Sequence, residues 1–434
     1  MNAPNAHWPD SLWAAVTPGG PDLPELVGAE TADVIVIGGG FTGLSTALYL
    51  REAGVDVAVV EAVEPGWGAS GRNNGQVIPT LSRLDPDDII ARHGAAGERF
   101  VALLSDSASM LFEVARRYAI DAEAEQAGWV QPVHSPGRVK IAERRVRQWG
   151  KFGAPVELLS RDRVSEMLGS DAWFGGFWNR SGGHINPLAL ARGLARAVLQ
   201  QGGRIYARSP ALAFERRNDR WHVKTAKGEI SGRALLVATN AYSGEFAPSL
   251  ASPIAREVIP VLSWQMATEV LSDNIRKTII AGRQAMSDTH GELYFARYDA
   301  RNRLVTGGAV IGPGDKTERL KRRVAARLQR LWPQIGEVGF DYVWNGYVGM
   351  TTDFLPRIHR LGPDAYGWTG CNGRAVALTI ALGREFAKAL CGAKDDDLAL
   401  PFTQSAPLPF HRALRMLAPL ILLRYRRRDA REIV

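Results

Sequence analysis

Cysteine is almost absent. Among 434 residues only Cys371 and Cys391 occur, so no disulfide framework can underlie the fold, and reduced thiols are the simpler expectation. Long apolar runs are missing too. The longest near the C-terminus covers 416–423, far short of the roughly 20 residues that span a bilayer. The first residues, MNAPNAHWPDSLWAAV, lack a basic stretch followed by an apolar one, so no secretory signal is read and a cytoplasmic protein is expected. There are no repeats, no long low-complexity segment, and no metal site is expected. Hydrophobic residues make up 46% and charged residues 23%, an ordinary soluble balance. The length suggests two or three domains.

A net charge of +8 invites a nucleic-acid or anionic-membrane partner. Its distribution argues otherwise. Seven arginines (412, 415, 424, 426, 427, 428 and 431) face only Asp429 and Glu432 after residue 410, so 7 − 2 = +5 of the charge sits in the tail. Charge confined to a tail in this way does not read as a nucleic-acid surface. Two readings of 410–428 stay open: an amphipathic segment lying peripherally on the inner face of a membrane, or a helix packed on the body with solvated arginines.

What is present is a βαβ unit. Residues 33–37 (DVIVI) are a short apolar run, as in a parallel strand covered on both faces. A glycine turn, a helix over 44–53 closed by Gly54, and a strand over 55–60 follow. Further on, helices are expected over 98–118 and 187–201, and strands over 205–214, 221–225, 234–238 and 258–270. A hairpin over 293–310 should turn at 299–302. Leu320, Val324, Leu328 and Leu331 form an apolar stripe on a basic helix, and 376–390 reads as a final apolar helix. The first 30 residues read as an extended arm. Helix–strand alternation broken by antiparallel strands predicts an α/β fold with two interleaved domains.

Gly38-Gly39-Gly40-Phe41-Thr42-Gly43 satisfies G-x-G-x-x-G between a strand and a helix, the context that gives the pattern meaning. Gly38 allows the tight turn, Gly40 lets a pyrophosphate approach the backbone, and Gly43 lets helix and strand pack closely. The helix start offers unpaired N–H groups to the phosphates. Glu61, 18 residues beyond Gly43 (61 − 43), ends the second strand where a carboxylate can accept from a ribose diol. Such a carboxylate would repel a 2′-phosphate. FAD and NAD both remain open on this pattern.

Two further stretches separate them, GWGASGRNNGQ at 66–76 and LLVATNAY at 235–242; SGGHINP at 181–187 and WNGYVGMTTDFLP at 344–356 join the first of these in a narrower likeness. With the glycine fingerprint, they make residues 31 to about 392 resemble the D-amino-acid oxidase-type flavoprotein family, on the side of its γ-glutamylputrescine oxidase-like branch. The resemblance implies an FAD-binding Rossmann-like domain interleaved with a substrate domain that contains a large antiparallel sheet. The FAD-binding part would comprise 31–100, 182–250 and 338–392, and the substrate part 101–181 and 251–337, between an arm (1–30) and a basic tail (393–434).

The same likeness places Ala69, Ser70, Asn73, Asn74, Gly75 and Gln76 beside the pyrophosphate and the isoalloxazine ring, Thr239 and Asn240 near the adenosine, and Ala211 near the adenine. Gly370, Asn372 and Gly373 precede a helix whose N-terminus would face the ring, with Arg374 adding charge or serving only in packing. It implies non-covalent FAD, since no cysteine stands near Val348, and Cys371 reads as a small apolar filler. Val348 also occupies the position where relatives carry a carboxylate-binding arginine, which disfavours an ordinary α-amino acid held in that way. Arg297 is a replacement for that clamp or a solvent-facing strand residue. Thr306 stands where the sarcosine oxidase branch has a lysine, leaving oxidase and dehydrogenase both open.

The reaction implied is oxidation of a primary or secondary amine or amino acid by hydride transfer to flavin N5, giving an imine that water hydrolyses. His184 is the first candidate near flavin and substrate, or else a cap of the following helix. Trp264, Tyr294 and Trp344 are candidates for pocket walls, or core. The electron acceptor is O2 or another species. Alternatives are a D-amino-acid dehydrogenase feeding a membrane acceptor and a tRNA-modifying flavoprotein.

Overall fold

The computed structural model describes residues 7–247, 250, 252–309 and 315–432. Among them, two eight-stranded sheets and a two-stranded ladder carry the fold. The first sheet is built around Gly28–Ile37, which pairs in parallel with Gly228–Val237 on one side and Val57–Val60 on the other. Arg204–Tyr206 extends it beyond Val57–Val60, and Ala365–Thr369 and Arg357–Gly362 extend the opposite side. Val34, Ile35 and Val36 are completely buried, so both faces of this strand are covered and its run of aliphatic residues needs no polar alternation. Each such side chain contributes roughly 1.5–3 kcal/mol by leaving water. The strand starts at Gly28, earlier than the apolar run suggests, because Gly28–Thr31 gain backbone pairing to Gly228–Ser231 without burying an apolar face.

Helices Phe41–Glu52, Pro187–Gln200 and Val376–Leu390 share one large core cluster with this sheet. The first begins at the glycine turn itself. Pro187–Gln200 starts on proline, with the Asn186 side chain accepting from Ala189 N at 3.1 Å. That makes Asn186, and not His184, the cap.

The second sheet runs Phe340–Met350, Ile259–Val270, Arg303–Gly308, Phe295–Tyr298, Ala285–Ser287, Trp129–Pro132, Gly176–Asn179 and Val156–Leu159. It is antiparallel except where Ala285–Ser287 meets Trp129–Pro132. Helix Lys316–Leu331 buries the expected stripe of Leu320, Val324, Leu328 and Leu331 against it. The hairpin turns as expected, Asp299 Oδ1 accepting from Arg301 N and Arg303 N; the far end of its expected range, Val310, lies outside the described residues.

Several expectations need correction. The strand over 205–214 is two strands, Arg204–Tyr206 and Ala213–Arg217, because Arg208 turns left-handed (φ 49°) and Pro210 has no N–H to give a ladder. The helix over 98–118 begins at Pro86 behind an Asp85–Asp88 capping box, and bends at Gly94, whose φ is 55°. The N-terminal arm contains helix Leu12–Val16, whose Leu12 and Trp13 are fully buried. The tail contains helix His411–Glu432, tied down by Arg426 to Glu292 (2.6 Å), Gly291 N to Asp429 (2.6 Å) and Arg138 to Glu432 (2.5 Å).

Candidate active site

The glycine turn forces the backbone arrangement of one end of the site. Gly38 takes φ 109°, a value closed to most side chains. A Cβ on Gly43 would sit 1.9 Å from Gly38 O, so only glycine lets the helix meet the strand here. Gly40, at the N-cap, offers no side chain to the helix start, and Phe41 N donates to Ser70 Oγ at 3.0 Å. Glu61 follows Val57–Val60. Its Oε2 accepts from Gly39 N at 2.5 Å and its Oε1 from Val63 N at 3.0 Å. Burial pushes its carboxyl up, opposed by these amide bonds.

From this turn a cavity of about 920 Å³ runs to the second sheet. At the nucleotide end it is lined by Gly38, Gly40, Phe41, Thr42, Glu61 and Ala211. Ala69, Ser70, Asn73, Asn74 and Gln76 line it further along, with Thr239 and Asn240. Asn372, Gly373 and Arg374 border it where helix Val376–Leu390 starts, again with no side-chain cap on the helix. The opposite wall is Ser263, Gln265 and Phe295 of the second sheet, closed by Leu422 and Tyr425 of the C-terminal helix.

A nucleotide diphosphate suits the first end. A Cβ on Gly40 would come 2.9 Å from Ser70 Oγ, so the missing atom keeps the cradle open. The buried Thr42 Oγ1 and Asn240 Oδ1 have no hydrogen-bond partner, although both residues line the cavity. Buried polar atoms are ordinarily satisfied, so these two are consistent with a polar ligand. Among the described residues no His, Cys, Asp and Glu group is placed to hold a metal ion.

Other expected site residues lie elsewhere. His184 is fully buried outside the cavity wall, Nε2 3.0 Å from Arg283 O, and burial beside Arg297 and Arg283 holds its pKa well below the usual histidine value. Arg297 is neither a clamp nor solvent-facing. It is 1% exposed and bonds Asn74 O, Ile185 O and Tyr298 O, with Trp13 stacked on its guanidinium. Trp264 packs on the second core; Tyr294 lies between His290 and Arg327; Trp344 is 2% exposed and donates to Arg72 O. The reason is strand alternation: Gln265 and Phe295 face the cavity, so their neighbours Trp264 and Tyr294 face away. Gly43, Gly75 and Gly370 do not touch the cavity; a Cβ on Gly75 or Gly370 would strike Ile185 O or the Thr351 methyl. Thr306 is buried off the wall, donating to Phe295 O and accepting from Arg327.

Cys371 does line the cavity. Burial pushes its thiol up, away from thiolate chemistry. Arg72, Arg83, Arg415 and Tyr425 are lining residues that sequence reading passed over. Alternation within 259–270 would have found Gln265. Nothing local marks Arg83 or Tyr425, which meet only through tertiary packing.

A glycine-turn nucleotide site opening onto an antiparallel sheet defines the class of dinucleotide-cofactor enzymes. The chain belongs to the FAD-dependent oxidoreductase family, whose model matches residues 33–389. It is 33% identical to the γ-glutamylputrescine oxidoreductase of Escherichia coli strain K12 over 388 residues, 89% of this chain and 90% of that one. It is 31% identical to the probable oxidoreductase OrdL of Haemophilus influenzae, over 89% of this chain and 88% of that one. In fold it is similar to the L-proline dehydrogenase of P. horikoshii (TM-score 0.72, 21% identity, 88% of this chain and 98% of that one). Glycine oxidase of Geobacillus kaustophilus is equally near in shape (TM-score 0.72, 18% identity, 88% and 100%).

Proposed function

We propose that this chain oxidises a primary or secondary amine, or an amino acid, whose reacting carbon lies at the second-sheet end of the cavity. The observation that carries the reading is the continuity of that cavity, from the glycine turn to Ser263, Gln265 and Phe295. The likeness to a γ-glutamylputrescine oxidoreductase supports an amine as substrate. In this reading 31–100, 182–250 and 338–392 hold FAD, and 101–181 with 251–337 wall the substrate.

The amides at the start of Phe41–Glu52 and the Ser70 hydroxyl would hold the phosphates, and Glu61 the ribose. Asn73, Asn74 and Gln76 would lie along the ring. The chemistry FAD would supply when bound is acceptance of a hydride from the carbon bearing a neutral amine, leaving an iminium ion that loses a proton to water to give the imine, which water hydrolyses. The start of Val376–Leu390 directs its positive dipole end at the cavity and would favour negative charge on the ligand there. Tyr425 and Leu422 cover the cavity and limit water. In this reading the flavin would be held without a covalent bond, with Val348 and the Cys371 thiol on the cavity wall.

Anaerobic mixing of the purified protein with amines, N-methyl amino acids and D-amino acids tests this. At least one class should bleach the visible flavin band. If every class leaves it intact, the amine reading falls.

One observation favours an electron acceptor at a membrane. Among the described residues no helix is long and apolar enough to cross one. Yet Phe410 is 85% exposed, and on helix His411–Glu432 Met416 is 81%, Leu417 53% and Leu420 56% exposed, beside exposed Arg412, Arg424 and Arg427. Apolar side chains flanked by arginines suit an anionic lipid surface. The full-length protein should float with vesicles containing anionic lipid, and a variant ending at residue 410 should stay behind. Equal flotation of the two would remove this reading.

A further inference from the structure

Helix His411–Glu432 has two faces with different roles. Leu422 and Tyr425 roof the cavity, and Arg426, Asp429 and Glu432, at helical spacing from them, fasten the helix to the body. Arg426 pairs with Glu292 at 2.6 Å, Gly291 N donates to Asp429 Oδ2 at 2.6 Å, and Arg138 pairs with Glu432 at 2.5 Å. The other face runs through Arg412, Met416, Leu420, Arg424, Arg427 and Arg431, again in steps of three and four residues. All six are exposed. Among the described residues its four arginines have no ion pair, whereas Arg426 and Arg428 are both paired.

The fastening is electrostatic. Of the helix's described side chains only Asp429 is buried, so none of its described apolar side chains is sealed from water. A surface helix is ordinarily held by a buried apolar stripe, while exposed ion pairs contribute little and weaken in salt. The chain ahead of the helix is pinned as far as Leu408, whose N donates to Arg256 O at 3.0 Å. Pro409 and Phe410 follow, Phe410 at φ 52°, before His411 Nε2 lies 2.7 Å from Val258 O. That short link is a hinge about which the helix swings once its polar ties are released.

An anionic bilayer bears differently on the two positions of the helix. While the helix is seated, lipid meets only the outer face, apolar at Met416 and Leu420 and cationic beyond. When the helix swings out, Leu422 and Tyr425 also reach lipid, and Arg426 exchanges Glu292 for lipid phosphate. Lipid therefore binds the lifted helix better than the seated one, the differential interaction that any shift of state requires.

We infer that helix His411–Glu432 is a lid that an anionic bilayer lifts, so that the cavity opens where the protein meets a membrane. This rests on the membrane reading of the C-terminal helix and adds regulation to it: the bilayer controls access to the cavity as well as holding the protein.

The test locks the lid in FAD-loaded protein. A Cβ on Gly291 would lie 2.6 Å from the Tyr425 Cβ, within about 1 Å of disulfide spacing. Gly291→Cys combined with Tyr425→Cys should therefore cross-link on mild oxidation with diamide. Vesicles of phosphatidylglycerol in phosphatidylcholine should slow the cross-linking by about tenfold or more, and phosphatidylcholine alone should leave it within about twofold. By reciprocity, the oxidised pair should bind the anionic vesicles about tenfold more weakly than the same protein reduced. Three results overturn the lid and leave the membrane reading standing. They are a pair that fails to cross-link without lipid, cross-linking equally fast on anionic vesicles with which the protein floats, and equal vesicle binding by the oxidised and reduced pair. If the unsubstituted protein does not float with anionic vesicles, the membrane reading and the lid fall together. Amine oxidation is tested separately, by bleaching of the flavin.

Discussion

Glu61→Ala is expected to purify nearly free of flavin. The carboxylate accepts from two backbone amides, Gly39 N and Val63 N, and both become buried donors without partners when it is removed. Each such loss costs about 1–3 kcal/mol. The ribose loses its acceptor as well, so FAD affinity should drop by about two orders of magnitude or more. Burial disfavours the Glu61 charge in the free protein, so its removal relieves a cost that offsets part of the lost hydrogen bonding. The melting temperature without FAD should therefore change far less than the gain in melting temperature on adding FAD. Flavin per chain after gel filtration, together with melting curves with and without FAD, separates the two effects. Full occupancy in Glu61→Ala would contradict the ribose role.

Gly43→Ala should be the most damaging single methyl in the glycine turn. The added Cβ would lie 1.9 Å from Gly38 O and 3.1 Å from Val36 Cγ1, both in rigid, buried surroundings. Helix Phe41–Glu52 must then lift off the central strand, and overpacking of this kind costs about 1–3 kcal/mol or more. Lifting the helix also moves its free amides away from the phosphates. Gly137→Ala, where a Cβ meets nothing within 4 Å, is the matched control. Gly43→Ala should melt several degrees lower than this control and retain little FAD. Equal melting points and equal flavin content would show that helix and strand do not depend on this contact.

The parts of the fold legible in the sequence are those where one local signal has one structural meaning. The aliphatic run at 33–37, the glycine turn and the apolar stretch at 376–390 fall where the chain has its central strand, its nucleotide turn and helix Val376–Leu390. Glu61 was legible because its distance from the glycines is set by one helix and one strand. The substrate wall was not. Aromatic size drew attention to Trp264 and Tyr294, but a strand's two faces differ by one residue, and Gln265 and Phe295 hold the cavity side. Arg297 reads as a surface strand residue until Asn74, Ile185 and Trp13 close around it from distant parts of the chain. Arg83 and Tyr425 are more than 300 residues apart and share no periodicity, so only the packed C-terminal helix brings them together. The arginine-rich tail showed its charge in the sequence. It did not show that the helix both roofs a cavity with Leu422 and Tyr425 and turns Met416 and Leu420 outward.

The most direct test is to precipitate the purified, FAD-saturated protein with acid and measure flavin in the supernatant and the pellet. A cavity that seats FAD through backbone amides, Ser70 and Glu61, with Cys371 a half-buried thiol, predicts yellow protein that releases close to equimolar FAD into the supernatant. Protein that stays colourless and takes up no flavin, or a pellet that keeps its flavin through a covalent bond, would contradict it.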